Sequence, residues 1–82
     1  GNTIRFGDMI PAYRDRENII AFERRGDKRL LIVSNFQSRQ VTLELPALIK
    51  TVILNNTAGM FQEGDQVLEL APYQTVVLEL AE

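Results

Sequence analysis

The sequence predicts a small all-β domain: an antiparallel β-sandwich with Greek-key-like connections, about six to eight strands and little helix. Runs of strand-forming residues recur along the chain, and turn-forming residues separate them at intervals of about 8–12 residues. No segment keeps the hydrophobic period of a helix over about ten residues. A length of 82 residues also limits the chain to a single domain, residues 1–82.

The first two well-defined strands begin after Asn18. Residues 19–24 (Ile-Ile-Ala-Phe-Glu-Arg) are rich in strand formers, and the Gly-Asp within residues 25–28 is typical of a tight hairpin. The return strand, residues 29–35, contains the continuous apolar run Leu-Leu-Ile-Val, which predicts either burial on both faces or a central position in the sheet. Residues 35–38 (Asn-Phe-Gln-Ser) predict a turn.

The remaining strands alternate between apolar and polar residues. Residues 40–45 alternate until Pro46, which ends the strand because proline has no N–H for a ladder. The next segments are predicted as a short helical turn or irregular link (47–49), a strand (50–54), a loop (55–59) and two strands (66–70 and 74–80) around a turn at 71–73. Before residue 19 the pattern is weaker: a strand at 3–6, a bend at 7–8 and a loop at 10–18.

One tetrapeptide occurs three times in nearly the same form: Thr-Leu-Glu-Leu at 42–45, then Val-Leu-Glu-Leu at 67–70 and at 77–80. The unequal spacing excludes a solenoid repeat, which needs a fixed period. A catalytic carboxylate pair drawn from Glu44, Glu69 and Glu79 is disfavoured, because alternation sends each Glu to the face opposite its two leucines. The three copies are therefore predicted to be strands whose leucines form the core while the glutamates face solvent.

Composition excludes several classes of function. The net charge of −2 provides no electrostatic footprint for nucleic acid or an anionic membrane. The chain has no His and no Cys, which removes His-based triads, the common zinc ligands and disulfides. No ligand spacing of a calcium loop is present. We expect no catalytic residue, metal or cofactor in this chain, and the absence of a signal peptide and of cysteine predicts a cytoplasmic location.

Two further groups of residues are weighed as candidate sites. The cluster of Arg24, Arg25, Lys28 and Arg29 is interpreted as a solvated hairpin end rather than a phosphate site. Among the aromatics, Phe22 and Phe36 are predicted to lie in the core. Tyr73 is predicted to pack at the corner after a proline, with its hydroxyl on a backbone partner. The candidates for stacking on a sugar are Tyr13, Tyr73, Phe6 and Phe61.

Taken in order, the segments resemble the C-terminal β-sandwich of the α-amylase family of glycoside hydrolases. The similarity is strongest to the branch of oligo-1,6-glucosidases, α-glucosidases and trehalose-6-phosphate hydrolases. The segments that carry it are Gly-Asp at 7–8, Asn18 followed by Ala-Phe-Glu-Arg at 21–24, Leu-Leu-Ile-Val-Ser-Asn-Phe at 30–36, Val-Thr-Leu-Glu-Leu-Pro at 41–46 and Leu-Ala-Pro-Tyr-Gln-Thr-Val-Val-Leu at 70–78. Phe22 stands where the family commonly has tyrosine.

The resemblance implies a non-catalytic accessory domain excised from a larger enzyme that hydrolyses α-glucosidic bonds of oligosaccharides. Its expected partner is the catalytic barrel of the same parent chain, which needs about 250 residues and cannot be contained here. Contact with oligosaccharide is expected only through the parent, and an apolar patch is expected where the barrel is missing. The alternative is an independent carbohydrate- or protein-binding module, because sandwich folds carry many binding functions.

Overall fold

The computed structural model describes residues 9–57 and 61–82, and their regular structure consists of seven β-strands. The strands are β1 (Met9–Ala12), β2 (Ile19–Arg25), β3 (Arg29–Asn35), β4 (Val41–Glu44), β5 (Ile49–Asn55), β6 (Val67–Leu70) and β7 (Thr75–Leu80). All pairs are antiparallel. The predicted all-β class is therefore confirmed. The described part of the chain contains no helix long and apolar enough to span a membrane.

The strands form two sheets of unequal size. Five strands make one sheet in the order β1-β2-β3-β7-β5, and β4 pairs with β6 in a two-stranded sheet. Strands β2 and β3 form the predicted hairpin, in which Arg25 pairs with Arg29 and the Gly26 amide donates to the Lys28 carbonyl at 3.3 Å. The edges of the large sheet are β1, which contains Pro11, and β5, which has two bulges, and both features discourage pairing with another chain.

The core lies between the two sheets. Alternation along each strand directs every second side chain inward, where the leucine pairs of the repeated tetrapeptide meet. All six of these leucines are at most 4% exposed: Leu43, Leu45, Leu68, Leu70, Leu78 and Leu80. Leu31 and Val33 of β3 join them with no exposed surface. The strand interpretation of the three tetrapeptides accounts for their recurrence through this common burial.

The structure corrects several element boundaries. Strands β4, β6 and β7 begin one residue later than predicted, β4 ends one residue earlier, and β2 and β5 end one residue later. Residues 10–12 were predicted to start a loop but belong to β1, where Pro11 is accommodated because β1 is an edge strand. Strand β5 begins at Ile49 rather than at residue 50, because Ile49 already pairs with Leu80 and its side chain is buried. The strand predicted at residues 3–6 and the bend at 7–8 lie outside the described residues.

A buried polar network holds the turn at residues 71–74. The Asn35 amide Nδ2 donates to the carbonyls of Arg39 at 2.9 Å and Ala71 at 3.0 Å, and to that of Leu70 at 3.4 Å. Gln74 accepts from the Ala71 amide at 2.7 Å and donates to Asn55 at 2.7 Å. Both Asn35 and Gln74 are fully buried. Asn35 was predicted as a turn residue, and the structure adds that it connects the two sheets.

Candidate docking surface

A continuous apolar row crosses the outer face of the five-stranded sheet. Its members occupy directly paired positions, one from each strand, and we call them the apolar row: Pro11, Phe22, Ile32, Val77 and Leu54. Paired positions in antiparallel strands bring side chains within about 5.5 Å of each other at Cβ. The row is therefore one connected surface and not a set of scattered residues.

The apolar row remains accessible in this chain. Phe22 is 37% exposed and Leu54 is 50% exposed, while Ile32 and Val77 are half-buried by their neighbours. Exposed Ile20 extends the apolar surface beside Phe22 on the same face. Solvated faces of antiparallel sheets are usually polar, and a contiguous exposed apolar patch indicates an interaction site.

Polar residues border the apolar row on both sides. On one side lie Arg24 and Glu79, and the Glu79 carboxylate is 3.4 Å from the Lys50 ammonium. On the other side, the hydroxyls of Ser34 and Thr75 are hydrogen-bonded at 2.9 Å. An apolar centre with a polar rim is the usual composition of a protein–protein interface.

The outer face of the two-stranded sheet has a different character. It carries Thr42 and Glu44 from β4 opposite Glu69 and Val67 from β6. Three of these four side chains are polar, and two are acidic. The two outer faces of the sandwich therefore differ: one is apolar across its full width, and the other is suited to water.

The three glutamates of the tetrapeptides do not come together. Glu44 and Glu69 lie on the outer face of the small sheet, whereas Glu79 lies on the outer face of the large sheet, on the opposite side of the sandwich. The prediction that all three face solvent is wrong in one respect, because Glu79 is only 9% exposed. Strand β7 lies between β3 and β5, so its outward side chains are covered from both sides.

Two clefts of the described residues are each lined by two carboxylates, one by Glu23 and Glu44 and the other by Asp65 and Glu69. Tyr13, Glu23 and Glu44 are among the residues that line a cleft of about 360 Å³. Burial raises the pKa of Glu23, but hydrogen bonds and positive charge from Arg29 and Arg25 outweigh burial and leave the pKa below its usual value. A general acid needs a raised pKa, so this carboxyl is unsuited to that role. Within residues 9–57 and 61–82 no acidic cluster suited to a metal ion occurs.

The basic hairpin is partly neutralised by its own acid. Glu23 Oε1 accepts from Arg25 Nε at 3.1 Å and also from Arg29 Nε, whose side chain is largely buried. Such pairing disfavours a phosphate site, since Arg25 and Arg29 already have an anionic partner, but the hairpin end is not fully solvated, because Arg24 and Arg29 are half-buried.

The aromatic residues differ most from the predictions. Phe22 and Phe36 were predicted to be core residues but are 37% and 52% exposed. Tyr73 was predicted to pack at its corner, yet it is 61% exposed. It is Tyr13 whose hydroxyl finds a backbone partner, the Glu44 carbonyl, and whose ring packs on the core. Alternation places Phe22 on the face opposite Ala21 and Glu23, but it does not tell which of the two faces is covered.

Comparison with known proteins identifies the family. The profile of the α-amylase SusG C-terminal domain matches residues 19–77, well over half of the chain. No significant match to a curated protein sequence was found.

Solved structures with the same fold are sugar-converting enzymes. The isomaltulose synthase SmuA from Protaminobacter rubrum is 26% identical, with a TM-score of 0.80 over 90% of this chain. That from Erwinia rhapontici NX5 is 27% identical, with a TM-score of 0.79 over 90%. The trehalulose synthase MutB from Pseudomonas mesoacidophila MX-45 is 21% identical and shares the fold, with a TM-score of 0.80 over 89%. This chain spans only 14% of the length of each. Because the family profile covers most of its strands, the chain belongs to the family of SusG-type α-amylase C-terminal domains.

Proposed function

We propose that this chain is the non-catalytic C-terminal domain of a longer α-amylase-family glycoside hydrolase, and that it packs through the apolar row against the catalytic barrel of that polypeptide. The observation that carries the proposal is the apolar row itself, which crosses all five strands with an apolar residue at each paired position. The solved relatives are about seven times longer than the matched part, so a large partner surface exists within such polypeptides.

The arrangement of acids supports an accessory role. A glycosidase pair lies about 5–10 Å apart across one cleft, with one carboxyl of raised pKa. Here Glu79 is separated from Glu44 and Glu69 by the whole sandwich, and the pKa of Glu23 is lowered. The chemistry is therefore assigned to the rest of the longer polypeptide. We call the complete polypeptide, including this domain, the longer enzyme. A cytoplasmic location stays a prediction.

The finer proposal is that the longer enzyme hydrolyses α-glucosidic bonds of short oligosaccharides. It rests on the resemblance to oligo-1,6-glucosidases and α-glucosidases. The solved relatives are named as synthases of isomaltulose and trehalulose, and the Erwinia rhapontici enzyme has sucrose as its natural substrate. Hydrolysis and sucrose isomerisation therefore need to be separated by experiment.

The 82 residues alone are expected to release no chromophore from a chromogenic α-glucoside, because the Glu23 carboxyl in the described cleft has a lowered pKa and a general acid needs a raised one. The longer enzyme is expected to release free glucose from maltose or isomaltose, measured by product chromatography. Conversion of sucrose into isomaltulose as the main reaction would instead assign it to the synthases. Turnover by the purified 82 residues would contradict the accessory role.

Docking through the apolar row is tested by Leu54→Lys, with Val67→Lys as the matched control. The two side chains are 50% and 48% exposed and lie on the outer faces of opposite sheets. In the 82-residue chain, both variants are expected to change stability by no more than about 0.5 kcal/mol, as for most surface substitutions.

In the longer enzyme, Leu54→Lys is expected to lower the melting temperature by about 5 °C or more, because it places a charge in a buried interface. Val67→Lys is expected to have no such effect, because its face is polar. Equal melting temperatures for the two variants of the longer enzyme would rule out docking on this face.

A further inference from the structure

Two tyrosines share an uncommon backbone conformation but differ in their surroundings. Tyr13 has φ of 54° and Tyr73 has φ of 59°, in the left-handed region where bulky residues are rare. Tyr13 is half-buried, its ring packs on the core, and its hydroxyl donates to the Glu44 carbonyl. These contacts offset the strain of its backbone within the chain itself.

Within residues 9–57 and 61–82, Tyr73 has no comparable compensation. It is the third residue of the turn Ala71–Gln74, which is closed by the Gln74 amide on the Ala71 carbonyl at 3.1 Å. With positive φ, that position favours glycine or asparagine. The ring is 61% exposed, and the described residues provide no hydrogen bond to its hydroxyl.

The backbone below the Tyr73 ring is held firmly in place. Asn35 donates to the Ala71 carbonyl at 3.0 Å, and the buried Gln74 side chain accepts from the Ala71 amide at 2.7 Å. Asn56 donates to the Tyr73 carbonyl at 3.5 Å. These hydrogen bonds hold the strained turn in one conformation, so the backbone that carries the exposed ring is rigid.

A second exposed aromatic residue lies at the same end of the sheet. The backbone N–H of Asn35 donates to the Gln74 carbonyl at 2.9 Å, which extends the β3–β7 ladder by one position. Phe36 therefore follows directly beside the turn that carries Tyr73. Phe36 is 52% exposed, and its amide donates to the Asn18 carbonyl at 2.8 Å. Exposed Ile20 of β2 links the apolar row to Phe36 at this end of the outer face, while the hydroxyls of Ser34 and Thr75 lie between the row and the two rings on β3 and β7.

We propose that Tyr73, together with Phe36, anchors the domain to the catalytic part of the longer enzyme, an inference that rests on the proposed function. Rigidly held aromatic side chains are the residues that most often dominate the energy of an interface. For Tyr13, contact with the core of this domain offsets the backbone strain. For Tyr73, the corresponding contact is made with the partner surface. The rest of the same polypeptide is the occupant, because this chain spans only 14% of the solved relatives and its surface continues the apolar row.

The test compares Tyr73→Asn with the matched control Tyr13→Asn. Asparagine tolerates positive φ, so each variant removes a ring while the turn is kept. In the 82-residue chain, Y73N is expected to leave the melting temperature unchanged or raise it by a few °C. Y13N is expected to lower it by about 5 °C or more, because core packing and a hydrogen bond are lost.

In the longer enzyme the expectation for Tyr73 reverses. Y73N is expected to lower the melting temperature by about 5 °C or more and to accelerate proteolytic release of this domain. Tyr73→Phe keeps the ring and is expected to behave as the wild type. A longer enzyme whose stability is unchanged by Y73N, but lowered by L54K, would overturn the anchor and leave the docking proposal standing. Insensitivity to both variants would overturn docking itself.

Binding of a carbohydrate or of a second copy of this chain to the same surface would each give a different experimental result. Localised amide shift changes at Tyr73 and Phe36 during titration of the 82-residue chain with maltose or isomaltose would overturn the anchor in favour of a carbohydrate platform. A concentration-dependent dimer of the same chain that is lost in Y73N, seen by analytical ultracentrifugation, would overturn it in favour of self-association.

Discussion

Replacement of Leu78 by alanine is expected to lower the free energy of unfolding by about 3 kcal/mol, the largest effect of any single truncation proposed here. Leu78 has no exposed surface and belongs to the core cluster between the two sheets. It also pairs with Leu31 of β3 and with Val52 of β5. Removal of its side chain loses burial and leaves a cavity that close-packed neighbours cannot fill.

The measurement is urea unfolding of the 82-residue chain, followed by a backbone probe. A loss of about 3 kcal/mol in a domain of this size also lowers the melting temperature by about 10 °C or more. Val77→Ala is the control, because Val77 is the adjacent residue on the same strand but points outward. Val77→Ala is expected to cost less than about 1 kcal/mol in the isolated chain. Equal losses for the two variants would contradict the assignment of inner and outer faces.

Replacement of Asn35 by alanine is expected to lower the free energy of unfolding by about 2–3 kcal/mol. The side chain is fully buried, and its Nδ2 group donates to three backbone carbonyls, while its Oδ1 accepts from the Gln37 amide at 2.9 Å. Alanine leaves these backbone groups without their partner in a region that excludes water, and an unsatisfied buried polar group loses its full hydration.

Asn35→Asp separates the donor role from the acceptor role. The carboxylate keeps an oxygen for the Gln37 amide but turns an oxygen toward the carbonyls that accept from Nδ2. Its effect at neutral pH is expected to be at least as large as that of alanine, because it also buries a charge. Gln37→Ala, which removes a more exposed contact to the Glu17 carbonyl, is expected to cost less than about 1 kcal/mol. Wild-type stability for Asn35→Asp in urea would refute the donor role.

Much of the fold could be predicted because it depends on local pattern. The strands from residue 19 onward were recognised from alternation and turn residues, and the apolar run at 30–33 correctly indicated the central position of β3 in its sheet. Strand β1 was missed because its four residues include Pro11 and show no alternation of their own. Strand β1 is extended because its backbone pairs with β2, not because of a strand pattern in its own sequence.

The candidate site was less accessible from sequence. Phe22 and Phe36 were placed in the core because large apolar residues are usually buried. Their exposure depends on which face of the large sheet is covered: the two-stranded sheet packs on one face, and among the described residues no element covers the other. Likewise, the letters Pro-Tyr-Gln at 72–74 do not reveal a left-handed tyrosine, because the network that holds it combines the neighbouring Gln74 with Asn35 and Asn56 from two distant segments.

The sequence alone determined which side chains of each strand share a face, since a period of two follows from backbone geometry. It did not determine how much cover each face receives. The identical tetrapeptides at 67–70 and 77–80 show the difference: Glu69 is half-buried, whereas Glu79 is 9% exposed. Strand β6 has a neighbour on one side only, and β7 has one on both sides. Burial of an outward side chain depends on those neighbours, and strand order is a property of the assembled fold.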